Sequence, residues 1–116
     1  MIKFVPLEQV LPLRSKMLRN GAPINECVFP TDNAQGVFHL AYCLNETEIA
    51  TVATFYPQNI EAKEGLGYQL RGMATDTLYF GKGYGAMLIK YAVDYIKAAK
   101  GEYIWCNART STVGFY

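Results

Sequence analysis

The spacing of apolar residues changes along this chain, and each change marks an element. Ile2 to Val5 is a short extended run. After Pro6 the residues Val10, Leu13, Met17 and Leu18 recur at helical spacing, with Pro12 expected to kink or shorten that helix. From Gly21 to Gly36, Pro, Asn, Asp and Gly interrupt Ile24, Val28 and Phe29. This reads as a long ordered loop with one helical turn, the kind of segment that lines a substrate site. Val37 to Leu44 and Ile49 to Tyr56 are rich in β-branched and aromatic residues and are separated only by Asn45-Glu46-Thr47-Glu48, which predicts a β-hairpin. Leu66 to Asp76 is a third long strand, whose Gly67 and Gly72 point to a bulge or a close backbone approach. The stretch YFGKGYGAMLIKYA then places Gly81, Gly83 and Gly85 at alternate positions before a helix. On that helix Met87, Leu88, Tyr91, Ala92, Tyr95, Ile96 and Ala99 recur at three- and four-residue steps, and Gly101 stands where a C-cap needs positive φ. EYIWCNA is a short apolar strand, and RTSTVGFY begins a further element.

A strand, a glycine loop, a helix and another strand in succession make a βαβ unit, whose crossover is right-handed and whose two strands are parallel. The expected fold is therefore α/β, a mixed sheet that is antiparallel early and parallel late, flanked by helices. A length of 116 residues sets this as a single domain, residues 1–116, and 51% apolar with 18% charged residues is a globular composition. Eleven Lys and Arg against ten Asp and Glu leave a net charge of +1, without the excess a nucleic-acid binder needs. Nor does any apolar run approach the ~20 residues that span a bilayer. Cys27, Cys43 and Cys106 form no CxxC pair, so neither a zinc ribbon nor a disulfide framework is signalled, and a reducing, cytoplasmic setting is expected.

The glycine loop carries the chemistry. Unpaired N–H groups at a helix start, about +0.5 charge from the helix dipole, and no side chains at alternate positions suit a bulky phosphate. The same glycines also suit a tight turn with the helix packed close to the sheet. A P-loop is excluded, because Gly81-Lys82 runs into Gly83 with no metal-ligating hydroxyl. Gly81-Lys82-Gly83-Tyr84-Gly85-Ala86 satisfies GxGxxA, but a dinucleotide fold places an acid at the end of the next strand, where this chain has Cys106 and Asn107.

Acyl-coenzyme A is the third class, and TDTLYFGKGYGAMLIKYAVDYIKAAKG resembles motif A of the GNAT acetyltransferase superfamily, Q/R-x-x-G-x-G/A. EYIWCNARTSTVGFY resembles the next motif, in which Asn and Ala precede a helix containing Phe-Tyr. The resemblance covers Leu66 to Tyr116. It implies an N-acetyltransferase that uses acetyl-coenzyme A and no metal, and that moves an acetyl group to a small-molecule or peptide amine by direct attack. The alternative is a non-catalytic acyl-coenzyme A binding or oligomerising module. Carried over by position, the N–H groups from Gly81 through Lys82, Gly83, Tyr84 and Gly85 to Ala86 face the pyrophosphate. Phe80 stands where the family has Gln or Arg. Met73 and Thr75 offer main chain to the pantetheine arm, Asn107 lies near that arm, and Tyr116 is the acid that protonates the departing thiolate.

The general base is obscure. His39 on the hairpin and Glu26 in the long loop are the candidates, against a structural histidine and a solvated carboxylate respectively. The family continues past Tyr116 through two more strands, so the resemblance implies a fold whose last strands are missing. The strand Tyr103 to Cys106 would then have an open outer edge, carrying Ile104 and Trp105, and such an edge predicts a homodimer.

Overall fold

The computed structural model describes residues 1–61, 63–106 and 111–114, the last four as backbone only. Its elements are β1 (Ile2–Phe4), α1 (Leu7–Leu18), a 3₁₀ turn (Ile24–Glu26), β2 (Phe38–Cys43), β3 (Ile49–Pro57), β4 (Gly67–Thr75), a second 3₁₀ turn (Thr77–Tyr79), α2 (Tyr84–Ala98), β5 (Tyr103–Cys106) and β6 (Ser111–Gly114). They form a six-stranded sheet in sequential order. Every neighbouring pair is antiparallel except β4 and β5, the two strands joined by the α2 crossover. Both the mixed sheet and the parallel late pair thus follow the hydrophobic pattern.

Alternation sorts the side chains of the central strands onto two faces. Phe38, Leu40, Ala53 and Phe55 meet α2, whose Leu88, Ala92 and Ile96 are fully buried at four-residue steps. Burying such a Leu or Ile contributes about 1.5–3 kcal/mol. Ala41, Val52 and Ala74 point the other way and meet Val10 and Leu13 of α1. Met87, Tyr91 and Tyr95, also in the predicted stripe, stay at the rim, where Tyr91 and Tyr95 ring-pack with Phe4.

Three expectations need correcting. Pro12 does not shorten α1, which runs for 12 residues through it. Pro12 is exposed, so the Glu8 carbonyl that loses its intrahelical donor can take one from water. At the other helix the residue with positive φ is Lys100 (φ 70), not Gly101. The Gly101 N–H reaches the Ile96 carbonyl at 2.8 Å, and a Cβ at Gly101 would lie 2.2 Å from Ile96 Cγ2. The glycine is required by close packing one residue beyond the left-handed position.

The third correction concerns the chain after β5. Ser111–Gly114 is a strand and not the opening of a helix, and it pairs antiparallel with Tyr103–Cys106. The outer edge of β5 is therefore occupied, which removes the open edge on which the homodimer was expected. Asn107 and Tyr116 lie outside the described residues.

Candidate active site

β4 and β5 pair only from Gly67 to Gln69 against Tyr103 to Trp105, while β4 continues to Thr75. Six further residues, about 20 Å of strand, therefore have no described strand on that side. Which groups face this open edge follows from the β3 pairing. Thr51 and Thr75 are opposite each other, and the Asp76 N–H bonds the Ala50 carbonyl at 2.9 Å. That pattern makes Thr51/Thr75 a non-hydrogen-bonded pair, so the Thr75 main-chain groups point away from β3. By alternation those of Met73 do the same. Both residues singled out for a strand-like contact thus present backbone to the open edge.

A bulge lies just before them. Thr54 pairs with Arg71 and Val52 with Ala74, leaving Gly72 and Met73 opposite Ala53 alone. Gly72 has φ 64, and a Cβ there would sit 2.7 Å from Arg14 Nε and 3.1 Å from the Phe29 ring. Only glycine combines that backbone with that proximity.

The open edge leads to the glycine loop. Gly81 and Gly83 have φ 78 and 79, and added Cβ atoms there would meet nothing within 4 Å. Their glycines serve the backbone conformation and leave the space before α2 clear. Gly85 differs, since its Cβ would lie 3.3 Å from Met73 Sδ. It lets the first turn of α2 rest on β4, so both readings of the loop apply, at different residues. Gly83 caps α2 without a side chain, and the first helical bond runs from Met87 N–H to the Gly83 carbonyl. The N–H groups from Gly81 to Ala86 find no acceptor among the described residues. Unpaired N–H groups at a helix start carry partial positive charge and suit an anion. Lys82 and Ala86 are exposed beside it, and Phe80 is 60% exposed.

On the α1 side of β4 lies a polar cluster that periodicity did not reveal. Arg14 is 1% exposed and donates to both carboxylate oxygens of Asp32 (2.7 and 2.9 Å), to the Cys27 carbonyl (3.0 Å) and to Thr54 Oγ1 (2.7 Å). Thr54 Oγ1 also lies 2.7 Å from His39 Nδ1. The Thr54 hydroxyl accepts from Arg14 and also lies within hydrogen-bond distance of Nδ1, so the buried imidazole has a partner there in either neutral tautomer. Burial lowers the His39 pKa below 6.5, opposed by the charge of Asp32 and reinforced by that of Arg14. His39 is therefore a satisfied core residue, and Glu26 is a solvent-exposed carboxylate. A charged residue on the buried stripe of α1 was the available signal for Arg14.

Phe29 extends the cluster, with the guanidinium carbons of Arg14 and Arg71 4.0 and 4.3 Å from its ring centroid. Arg71 is half-buried at the bulge and has no carboxylate within ion-pair distance among the described residues. Asp32 is already taken by Arg14, so Arg71 leaves this cluster net positive. Among the described residues no three His, Cys, Asp or Glu side chains converge as a metal site, and no helix is long and apolar enough to cross a membrane.

Known proteins share this fold. The model of the acetyltransferase (GNAT) family matches residues 12–116. This chain belongs to the GNAT acetyltransferase family, and is an acyltransferase. It is 34% identical over 116 residues, 99% of its length and 77% of the relative's, to an uncharacterized N-acetyltransferase, YitI, of Bacillus subtilis. Its fold is similar to that of a GNAT family acetyltransferase of Staphylococcus aureus (TM-score 0.71, 16% identity, 100% of this chain and 96% of that one). It is also similar to an aminoglycoside acetyltransferase from an uncultured soil metagenomic sample (TM-score 0.74, 14% identity, 96% and 80%).

Proposed function

We propose that the GNAT chain transfers acetyl from acetyl-coenzyme A to the amine of a small acceptor that also carries an anionic group, in the cytoplasm. One observation carries the reading: the edge of β4 that no described strand pairs leads to a glycine-built helix start whose N–H groups find no acceptor among the described residues. The donors from Gly81 to Ala86 would hold the pyrophosphate, with Lys82 as an outer cation and Phe80 in place of a polar contact. Main-chain groups of Thr75 and Met73 would align the pantetheine arm toward the bulge. Acetyl-coenzyme A supplies an acyl group activated as a thioester. The acceptor nitrogen forms the new N–C bond as the C–S bond breaks, and the proton lost from nitrogen balances the one taken up by the thiolate. Tyr116 is the proposed acid for that thiolate, and Asn107 a contact to the arm, both on family resemblance. No described carboxylate or histidine is placed as a base, so a water path to solvent would carry the amine's proton.

Arg71 supports the acceptor class. It precedes Thr75 by four residues, about 13 Å of strand, which in this reading would set it toward the reacting end of the arm and away from the phosphate end. Stacking on Phe29 occupies the face of the guanidinium and leaves its N–H edge free for a carboxylate or phosphonate.

The experiment is thiol release from acetyl-coenzyme A with amines offered as matched carboxylates and carboxamides. Saturable transfer that favours the carboxylates, with the preference lost in Arg71→Gln, is the expected result. Binding of acetyl-coenzyme A without turnover on any acceptor would favour the non-catalytic module instead.

A further inference from the structure

The phosphate loop is tied down on both sides of its glycines by the β2–β3 hairpin. Ahead of the glycines, the Tyr79 hydroxyl donates to the Glu48 carboxylate. Behind them, the Tyr84 ring stacks on Tyr42 of β2, with centroids 3.9 Å apart and planes at 14°. Tyr79 and Tyr84 also approach each other at 6.5 Å, closing the cluster. The anchor on the hairpin is itself rigid, because Asn45 Oδ1 accepts from the Thr47 N–H and the Glu48 N–H, both at 2.9 Å. Between the two ties run Phe80, Gly81, Lys82 and Gly83, which have no side-chain anchor among the described residues and include two residues at left-handed φ.

A glycine-rich segment left free would sample many conformations, and each bound phosphate would have to order it. We propose that Tyr79 and Tyr84, clasped by Glu48 and Tyr42, are positioning residues that hold the Gly81–Ala86 donors in their binding arrangement before acetyl-coenzyme A arrives. This rests on the acetyl-coenzyme A reading above. The clasp touches no reacting atom. Its effect is on the ordering cost of the loop, so it belongs to coenzyme affinity and not to the chemical step.

Calorimetric titration of acetyl-coenzyme A into wild type, Tyr79→Phe, Glu48→Gln, Tyr84→Phe and Tyr84→Leu tests this. Tyr79→Phe deletes one exposed hydrogen bond and is expected to raise Kd about two- to fivefold, while Glu48→Gln keeps an acceptor oxygen, loses only the charge assistance and should have a smaller effect. Tyr84→Leu removes the stacked ring and should raise Kd about three- to tenfold, while Tyr84→Phe keeps the ring and restores wild-type affinity. The thermal midpoint of the free protein should move by less than about 3 °C in the two hydrogen-bond variants. Unchanged Kd in Tyr79→Phe and Tyr84→Leu would overturn the proposal, as would a fall in midpoint with affinity intact. Wild-type protein that binds no acetyl-coenzyme A would overturn the underlying reading as well, a result distinct from either.

Discussion

Arg14 on α1 holds both carboxylate oxygens of Asp32 in the loop over the sheet, at 2.7 and 2.9 Å, with both side chains almost fully buried. The pair joins four parts of the fold, α1, the loop, β3 and β4, because Arg14 also reaches Thr54 on β3 and lies against Gly72 of the β4 bulge. Asp32 in turn accepts from the Phe29 N–H at 2.6 Å, which sets the ring that Arg71 stacks upon.

Removing one partner should therefore cost far more than removing both. Asp32→Ala leaves a buried guanidinium charge uncompensated and is expected to destabilise the domain by about 3–5 kcal/mol in urea unfolding. Arg14→Met combined with Asp32→Ala should recover part of that loss. Equal destabilisation by the single and double variants would show that the pair acts only by packing.

His39 gives the fold a pH dependence with a defined sign. Its folded pKa lies below 6.5, so between the two values the unfolded chain binds more protons than the native one. Stability supplied by the neutral imidazole is complete above pH 6.5 and is lost as pH falls toward the folded pKa, by at most about 1.4 kcal/mol per pH unit. Wild type should lose urea stability between pH 7.5 and 5 more steeply than His39→Gln, whose curve lacks this component. Parallel curves would place the titration elsewhere.

Gly72 should not tolerate a side chain. Alanine there has φ 64 to adopt and Arg14 Nε at 2.7 Å to displace, and that atom belongs to a guanidinium fixed by four hydrogen bonds. Gly72→Ala is expected to lower stability by about 2 kcal/mol or more. Gly85→Ala, at helical φ against the flexible end of Met73, should cost less than about 1 kcal/mol. A smaller effect at Gly72 than at Gly85 would contradict the bulge geometry.

These contrasts also show what the sequence made legible. The hairpin, β4 and α2 were readable because burial forces a period of two or of about 3.6 onto their side chains. Gly67 and Gly72 were flagged correctly as sites of close approach, Gly67 against the Tyr103 ring and Gly72 against Arg14. The turn between β4 and α2 was legible for a similar reason, since left-handed backbone at Gly81 and Gly83 leaves glycine as its trace. Arg14, Asp32, Phe29 and Arg71 were not, because the contacts that join them span three elements and leave no local pattern. Ser111–Gly114 was misread as a helix start because its pairing with β5 decides its conformation, and Ser, Thr and Val fit an antiparallel partner.

The central claim is that the donors from Gly81 to Ala86 hold the pyrophosphate of acetyl-coenzyme A, and a calorimetric titration of wild type and Gly83→Val tests it most directly. Valine at Gly83 would put a branched side chain into space that is open in the wild type, at φ 79, where coenzyme phosphate must approach. The account predicts saturable one-to-one binding by wild type and at least about tenfold weaker binding by a Gly83→Val protein that is still folded by circular dichroism. Equal affinity for the two proteins, or no binding by wild type, would contradict it.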